Sequence, residues 1–150
     1  MEVFDIIEIP NPILNQKTQI VTNASDKYIQ DTIERMFFTM QTEGEHAVGL
    51  SAPQVGISLQ ICTIKFNNSN ISLLNPKIEK LSKDTIISKE SCLSIPNKQI
   101  KVERHKKIMV SYQDRMGIKR KIKTGGFLSI LLQHEIDHLN GILIVDKKIK

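Results

Sequence analysis

The sequence contains no tryptophan, only two tyrosines and only two cysteines, Cys62 and Cys92. Two cysteines cannot form a disulfide scaffold, and such sparse use of cysteine favours a reducing compartment. No apolar run approaches the roughly 20 residues that a membrane helix needs. Residues 1–5 show neither the basic nor the apolar part of a secretory signal. We therefore expect a cytoplasmic protein without a membrane segment.

The length of the chain, 150 residues, suits one domain with one core. Hydrophobic residues make up 40% and charged residues 25%, which is typical of a globular protein rather than a disordered one. The formal net charge of +5 suits non-specific association with nucleic acid. Basic and aromatic residues do not interleave as a base-stacking surface requires. We interpret the lysines as a solvated surface and predict no specific nucleic-acid partner.

Hydrophobic periodicity predicts two helices. Apolar residues recur at helical spacing from residue 25 or 26 to residue 43, which indicates an amphipathic helix. Residues 47–56 are small and are bracketed by glycine and proline, which favours a loop. A second helix is expected over residues 127–139, ahead of Asn140 and Gly141.

Short runs rich in β-forming residues lie between the two helices, at residues 59–66, 71–74, 85–88, 106–112 and 118–123. No repeat or linker divides the chain. This order of elements predicts a single α+β domain over residues 1–150, with an antiparallel or mixed sheet packed around the second helix.

The second helix carries the sequence His134-Glu135-Ile136-Asp137-His138. Residues four apart lie one turn apart on the same face of a helix, so these two imidazoles can bind one metal ion. Glu135 then lies close enough to act on a water molecule at that ion. The alternative is an exposed helix with two unligated histidines. The apolar residues before the motif predict a buried helix instead, in which idle histidine and glutamate side chains would be costly.

A catalytic metal site needs a third protein ligand. Residues 139–150 contain no glutamate, and Ile144 stands where a metzincin has its third histidine, so two common metalloprotease arrangements are disfavoured. The third ligand is therefore expected upstream. Cys92 lies in a polar segment and is the best candidate, whereas Cys62 lies mid-strand and is expected to be a buried core thiol. The remaining histidines lie among charged residues and are expected at the surface: His46 and His105.

Three segments resemble the three motifs of the peptide deformylases: residues 49–54 (GLSAPQ), 90–94 (ESCLS) and 133–138 (QHEIDH). They occur in the order of that family and near its usual spacing. Together they are far more specific than the histidine motif alone. The resemblance implies a metallohydrolase that removes the formyl group from the initiator methionine of nascent chains and releases formate.

The resemblance also implies a ligand set for one divalent metal ion: Cys92, His134 and His138. Iron(II) is the expected metal, and zinc(II) or nickel(II) can replace it. By the same pattern, Glu135 transfers a proton from water to the leaving amine. The Gln54 side-chain amide and the Leu93 backbone N–H are expected to stabilise the oxyanion.

The resemblance also implies a methionine pocket, formed by Val48, Gly49, Ile130 and His134. It further implies that Glu90 orients the peptide. Ile130 lies one helical turn before His134 and can face the same site, although core packing explains it equally well. Asp137 is expected to pair with Arg104, and an exposed helical carboxylate is the alternative.

Three positions depart from the usual residues of the family: Ala47, Ser51 and Ser91. Serine at position 91 is costly if the backbone there needs a positive φ. The expected partners are formyl-methionine nascent peptides and, transiently, the ribosome, and we expect a monomer. Many bacterial members continue into a further helix, whereas this sequence stops 12 residues after His138, which weakens the expectation of a ribosome anchor.

Two other functions are compatible with the sequence. One is a related amidase that acts on another small acyl group. The other is a binding module that keeps the fold, with or without metal, and has no turnover. A purely structural zinc site closes on four protein ligands, so the unligated Glu135 argues against the binding module.

Overall fold

The computed structural model describes residues 1–150. Helix α1 covers Lys27–Glu43, and helix α2 covers Gly126–Leu139. Seven strands lie between them: β1 (Gly49–Ser51), β2 (Ile61–Phe66), β3 (Ser69–Leu81), β4 (Thr85–Cys92), β5 (Ile95–His105), β6 (Lys107–Gln113) and β7 (Lys119–Gly125). Three short 3-10 helices complete the structure: Pro12–Asn15, Ala52–Val55 and Ile144–Lys147. The α+β class predicted from the sequence is confirmed.

Helix α1 begins and ends at residues that suit those positions. The Asp26 side chain accepts a hydrogen bond of 2.9 Å from the Tyr28 N–H and so caps the first turn. Gly44 follows the last turn with a φ of 110°, a conformation that favours glycine. The buried stripe of α1 includes Ile33 and Met36, which have no exposed surface. The predicted bounds of this helix are confirmed to within two residues.

The strands pair only with antiparallel neighbours. Five of them form one sheet in the order β1-β2-β3-β6-β7, and β4 and β5 form a separate hairpin. Helix α2 packs on the inner face of the large sheet, where Leu132 and Ile136 join Cys62 and Val110 in one apolar cluster. The predicted sheet around the second helix is confirmed. Cys62 has no exposed surface, as expected of a core thiol.

Two strands are not predicted by the sequence pattern. Residues 47–56, expected to form a loop, instead contain β1, which forms by pairing with the distant strand β2, and the 3-10 helix Ala52–Val55. The sequence pattern also fails to predict strand β5. Its buried positions alternate at Ile100, Val102 and Arg104. An arginine in the buried series hides this alternation from a search for apolar residues, and Asn97 interrupts the strand with a φ of 64°. Strands β3 and β4 also extend several residues beyond their predicted ends.

The end of β5 is fixed to α2 by side chains of the helix. Gln133 accepts a 2.9 Å hydrogen bond from the His105 N–H and donates one of 2.9 Å to the His105 carbonyl. Ser129 donates to the same carbonyl at 3.0 Å. His105, expected at the surface, is therefore half-buried. These bonds hold the β4–β5 hairpin against the helix that carries the histidine motif.

Neither helix has the length and apolar character that crossing a membrane requires.

Candidate metal centre and active site

Cys92, His134 and His138 come together where the end of β4 meets α2. Their ligand atoms all lie within 4.8 Å of one another. The Cys92 Sγ lies 3.4 Å from the His138 Nε2, and the two histidine rings are 5.0 Å apart between centroids. The two histidines share a face of α2 because they are one turn apart. The cysteine reaches them because the hairpin is irregular between Glu90 and Cys92.

This cluster fits one metal ion. Ligands at about 2.3 Å for sulfur and 2.1 Å for nitrogen, at a tetrahedral angle, lie about 3.6 Å apart, close to the observed sulfur–nitrogen separation. The Nδ1 atom of His138 is buried without a hydrogen-bond partner. Burial lowers the pKa of His138 well below its ordinary value, which keeps its imidazole neutral. One thiolate and two imidazoles form a donor set typical of zinc, iron and nickel.

A buried ion network lies behind the cluster. Arg104, 1% exposed, donates to both oxygens of Glu90 at 2.8 and 2.7 Å and to Asp137 at 2.6 Å. Glu90 also accepts a 2.8 Å hydrogen bond from the Nδ1 of His134, which leaves the Nε2 of that ring for a metal. Asp137 pairs in addition with Lys147 at 3.0 Å. The expected Arg104–Asp137 pair is thus present. Arg104 also holds the Glu90 carboxylate, which in turn orients the His134 ring.

The network shifts the pKa values of its members. Burial acts to raise the pKa of Glu90, but the Arg104 and His134 hydrogen bonds outweigh it and lower this pKa to about 2. Burial acts to lower the pKa of His134, yet contacts with Cys92 and Glu90 raise it to about 10 in the metal-free protein, so a metal ion at its Nε2 would replace a proton there. Glu90 was expected to orient the peptide; it lines the cleft, but its oxygens are engaged by Arg104 and His134.

Glu135 points into the cleft from α2 and is 3% exposed. Its Oε1 atom has no hydrogen-bond partner. Burial raises its pKa to about 7. The negative charge of Glu90 also raises this pKa, whereas the charge of His134 lowers it. A carboxylate with a pKa near neutrality can both accept and release a proton at physiological pH.

Gln54 presents its amide group toward the same cluster. Its Nε2 atom donates to the Ser94 hydroxyl at 3.1 Å and lies 3.5 Å from the Cys92 Sγ. Its Oε1 atom accepts two 3.0 Å hydrogen bonds, from the Ser51 N–H and the Ser51 hydroxyl. These bonds fix which end of the amide faces the cluster. Ser51 is one of the departures from the family pattern, and its hydroxyl provides a second hydrogen bond that fixes the orientation of the Gln54 amide.

The cluster opens into a cleft of about 740 Å³. Most of the expected site residues line it: Val48, Gly49, Gln54, Glu90, Cys92, Leu93, Ile130, His134 and Glu135. His138 lies behind them and is 2% exposed. Ser91, a departure from the family pattern, lines the cleft without a positive φ, so serine causes no backbone strain there.

The cleft also contains residues that were not expected there. Phe127 is 56% exposed and shares a helical face with Ile130, Leu131 and His134. The same periodicity that placed Ile130 could have identified Phe127 and Leu131. His46, expected at the surface, is exposed and lines the cleft mouth. No local pattern indicates this position for His46.

The comparisons with known proteins agree with this geometry. Residues 3–150 match the family model described as polypeptide deformylase. A peptide deformylase of Halothermothrix orenii is 42% identical over 154 residues, which cover 100% of this chain and 96% of the relative. The crystal structure of peptide deformylase from Thermotoga maritima has 36% identity and a TM-score of 0.93, with 100% of both chains covered.

A second solved structure carries an inhibitor. The peptide deformylase of Synechococcus elongatus, in complex with actinonin, has 37% identity and a TM-score of 0.91, and the match covers 98% of this chain and 79% of that one. The fold, the arrangement of the three motifs and the family model all agree. The chain belongs to the polypeptide deformylase family.

Proposed function

We propose that this chain is a metal-dependent peptide deformylase, which hydrolyses the N-formyl group of formyl-methionine on nascent polypeptides and releases formate. The observation that carries the proposal is the Cys92, His134 and His138 cluster at the base of a cleft, with the buried carboxylate of Glu135 beside it. The relatives that match almost the whole chain bear the same activity in their names.

The divalent metal ion would be held by Cys92, His134 and His138. We propose iron(II) as the native metal, with zinc(II) or nickel(II) able to occupy the same ligands. When bound, the ion supplies Lewis-acid polarisation and lowers the pKa of water. The hydrogen bond from His134 to Glu90 supports this arrangement, because it fixes the tautomer and the ring orientation of one ligand.

Glu135 serves as the general base and then as the general acid. It takes the proton from the attacking water and delivers it to the leaving amine of methionine. Its burial, which raises its pKa above the ordinary value, supports both roles, and a positioned base of this kind contributes roughly 10²–10⁴-fold in rate.

Gln54 and Leu93 stabilise the oxyanion that forms on the formyl oxygen. The Gln54 amide is already oriented by Ser51 and Ser94, so little reorganisation is needed when charge develops. Leu93 adjoins Cys92 in the β4–β5 turn and lines the cleft, which supports this role for its backbone N–H. Loss of one such donor costs about 10²–10³-fold in turnover.

The peptide binds in extended form between two free strand edges. Strand β1 pairs only with β2, and β4 pairs only with β5, while residues of both strands line the cleft. An added strand would satisfy the unpaired backbone groups of both edges. The methionine side chain then packs against Val48, Gly49 and Ile130, with Leu131 and Phe127 completing the apolar wall.

Residues 1–150 act as one catalytic domain and as a monomer in this proposal. The substrate also sets the location, because formylated nascent chains are available in the cytoplasm where they are made. A transient contact with the ribosome would place the enzyme near that substrate.

Formate release tests the proposal. The protein is purified anaerobically with iron(II) and assayed with a formyl-methionine tripeptide and its acetylated counterpart. We expect formate from the first peptide and no hydrolysis of the second. Glu135→Gln should lose turnover and keep its metal, and Glu103→Gln, at an exposed glutamate on β5, should behave as the unmodified chain. Preference for the acetylated peptide would indicate a different amidase, and metal binding without turnover would indicate a binding module.

A further inference from the structure

The outer face of the large sheet carries many lysine side chains where it is formed by β3, β6 and β7. Cross-strand partners point to the same side of a sheet, and two rows cross three strands here: Lys77–Ser111–Lys121 and Lys80–Met109–Lys123. Lys107 and Lys119 extend these rows along β6 and β7. The lysine face is defined by these six residues: Lys77, Lys80, Lys107, Lys119, Lys121 and Lys123. The opposite side of the same strands packs on α2 through Ile108, Val110 and Ile122.

A β-bulge in β3 places two of these lysines on one side. Lys77 and Lys80 are three residues apart, so in a regular strand they would point to opposite faces. The register against β6 shifts between Ile78 and Lys80, which leaves Glu79 as an extra residue. Both lysines therefore face outward. The Glu79 carboxylate reaches the same face and accepts a 2.7 Å hydrogen bond from the Ser111 hydroxyl.

The six lysines of this face outnumber the carboxylate of Glu79 that shares it. All six lysines are exposed, and none of them forms an ion pair. Lys80, Lys107 and Lys123 surround a groove of about 490 Å³, which Ser82 and Thr124 also line. Within each row, the β3 lysine and the β7 lysine are separated by two strand spacings, about 10 Å. Closely spaced lysines without partners repel one another, and an anion with several charges relieves that repulsion.

We propose that the lysine face binds the phosphate backbone of double-stranded RNA without reading its sequence. Lysine is a point-charge donor suited to phosphate. The face carries no aromatic side chain on which an unpaired base could stack, which favours a duplex with its bases hidden. This sheet face also lacks the amphipathic helix with which peripheral proteins enter a lipid surface.

We choose RNA over DNA as the ligand because nascent chains are made on RNA. Only this choice between the two nucleic acids rests on the proposed function. No residue lines both the groove and the catalytic cleft. Binding of RNA and hydrolysis of a free formyl-peptide are therefore separate properties that can be measured on the same protein.

The test uses the full chain and a fluorescent RNA hairpin with a fully paired stem, followed by anisotropy over a range of salt concentrations. One variant combines Lys80→Gln, Lys107→Gln and Lys123→Gln on the lysine face. A matched control combines Lys17→Gln, Lys101→Gln and Lys150→Gln, three exposed lysines elsewhere, and changes the net charge equally. A second variant, Lys77→Gln with Lys121→Gln, removes the other row.

We expect the first variant to bind RNA about tenfold or more weakly and to lower the slope of log affinity against log salt by about 3. The second variant should lower the slope by about 2. The control should keep the affinity and slope of the unmodified chain within a factor of about two, and all variants should keep hydrolysis of the free tripeptide.

Equal weakening in the variant and the control would overturn the proposal, because net charge alone would then explain the binding. Tighter binding to a DNA duplex, or to phosphatidylglycerol vesicles at the same salt, would also overturn it. So would the absence of RNA binding by the unmodified chain. Loss of hydrolysis with RNA binding intact would instead count against the proposed function and leave the lysine face standing.

Discussion

Substitution of Gly49 by alanine should displace the carboxylate of Glu135, the proposed general base. A Cβ atom at this position would lie 2.5 Å from the Oε2 of Glu135 and 2.9 Å from the Cδ1 of Leu131. Ordinary contact begins near 3.4 Å, so the carboxylate must move by about 1 Å. It has little room to do so because Glu135 is 3% exposed and Leu131 is 6% exposed.

The size of the effect follows from that displacement. A misplacement of about 1 Å in a catalytic group costs on the order of 10²-fold in rate. Gly49→Ala should therefore lower kcat by about 10²-fold and leave the bound metal unchanged, because Cys92 and the two histidines are not touched by the new methyl group. Overpacking should also lower stability by about 1–3 kcal/mol.

The assay measures kcat, KM, metal content and the free energy of unfolding for each protein. Gly125→Ala is the matched control, since its Cβ would approach the Lys106 carbonyl only to 3.3 Å and its φ is not positive. We expect that control to keep its kcat. An unchanged kcat in Gly49→Ala would show that the new methyl group does not displace Glu135, and a loss of activity fully explained by loss of metal would also contradict this prediction.

Three further predictions concern the buried groups around the cleft. Arg104→Met leaves Glu90 and Asp137 without their shared cation and should lower the free energy of unfolding by about 3–5 kcal/mol, measured by urea denaturation. The pKa of Glu90 is lowered to about 2 from an ordinary 4.5. The stabilisation that ionised Glu90 gives the folded protein should therefore be complete above pH 4.5 and be lost as the pH falls toward 2. Urea denaturation at a series of pH values measures this loss. Burial, reinforced by the negative charge of Glu135, raises the pKa of the Cys62 thiol. In folded protein treated with a chelator, Ellman's reagent should therefore modify Cys92 alone. It should modify Cys62 only after the protein unfolds.

Each of these predictions has its own control or contrary outcome. Lys147→Ala removes a partly exposed partner of Asp137 and should cost only about 0–1 kcal/mol; an equal cost for Arg104→Met would contradict the buried network. A stability that does not fall between pH 4.5 and 2 would contradict the low pKa of Glu90. Two thiols modified at equal rates in the folded protein would contradict the burial of Cys62.

The proposed metal ligands on α2 could be predicted because their geometry is local. Two histidines four residues apart share a helical face in any α-helix, and the apolar run before them indicates that the helix is buried. The choice of Cys92 over Cys62 needed only the polar character of one segment and the apolar character of the other. The fold agrees with this choice, because Cys62 is a core thiol and Cys92 lies beside both histidines.

Other features depend on contacts between distant segments and could not be predicted. The burial of Arg104 follows from two carboxylates that lie 14 and 33 residues away in the chain. The same burial concealed β5, because a charged residue at an inward position breaks the apolar alternation. The outward direction of Lys80 depends on a bulge that only the register against β6 reveals. The contact between Gly49 and Glu135 likewise joins an edge strand to the final helix.

X-ray absorption of the zinc-loaded protein reports directly on the proposed ligands. One sulfur ligand at about 2.3 Å is expected, together with nitrogen or oxygen ligands at about 2.0–2.1 Å. Cys92→Ser should lose the sulfur ligand, whereas Cys62→Ser should keep it. A sulfur ligand that persists in Cys92→Ser, or a metal surrounded only by nitrogen and oxygen in the unmodified chain, would contradict the account.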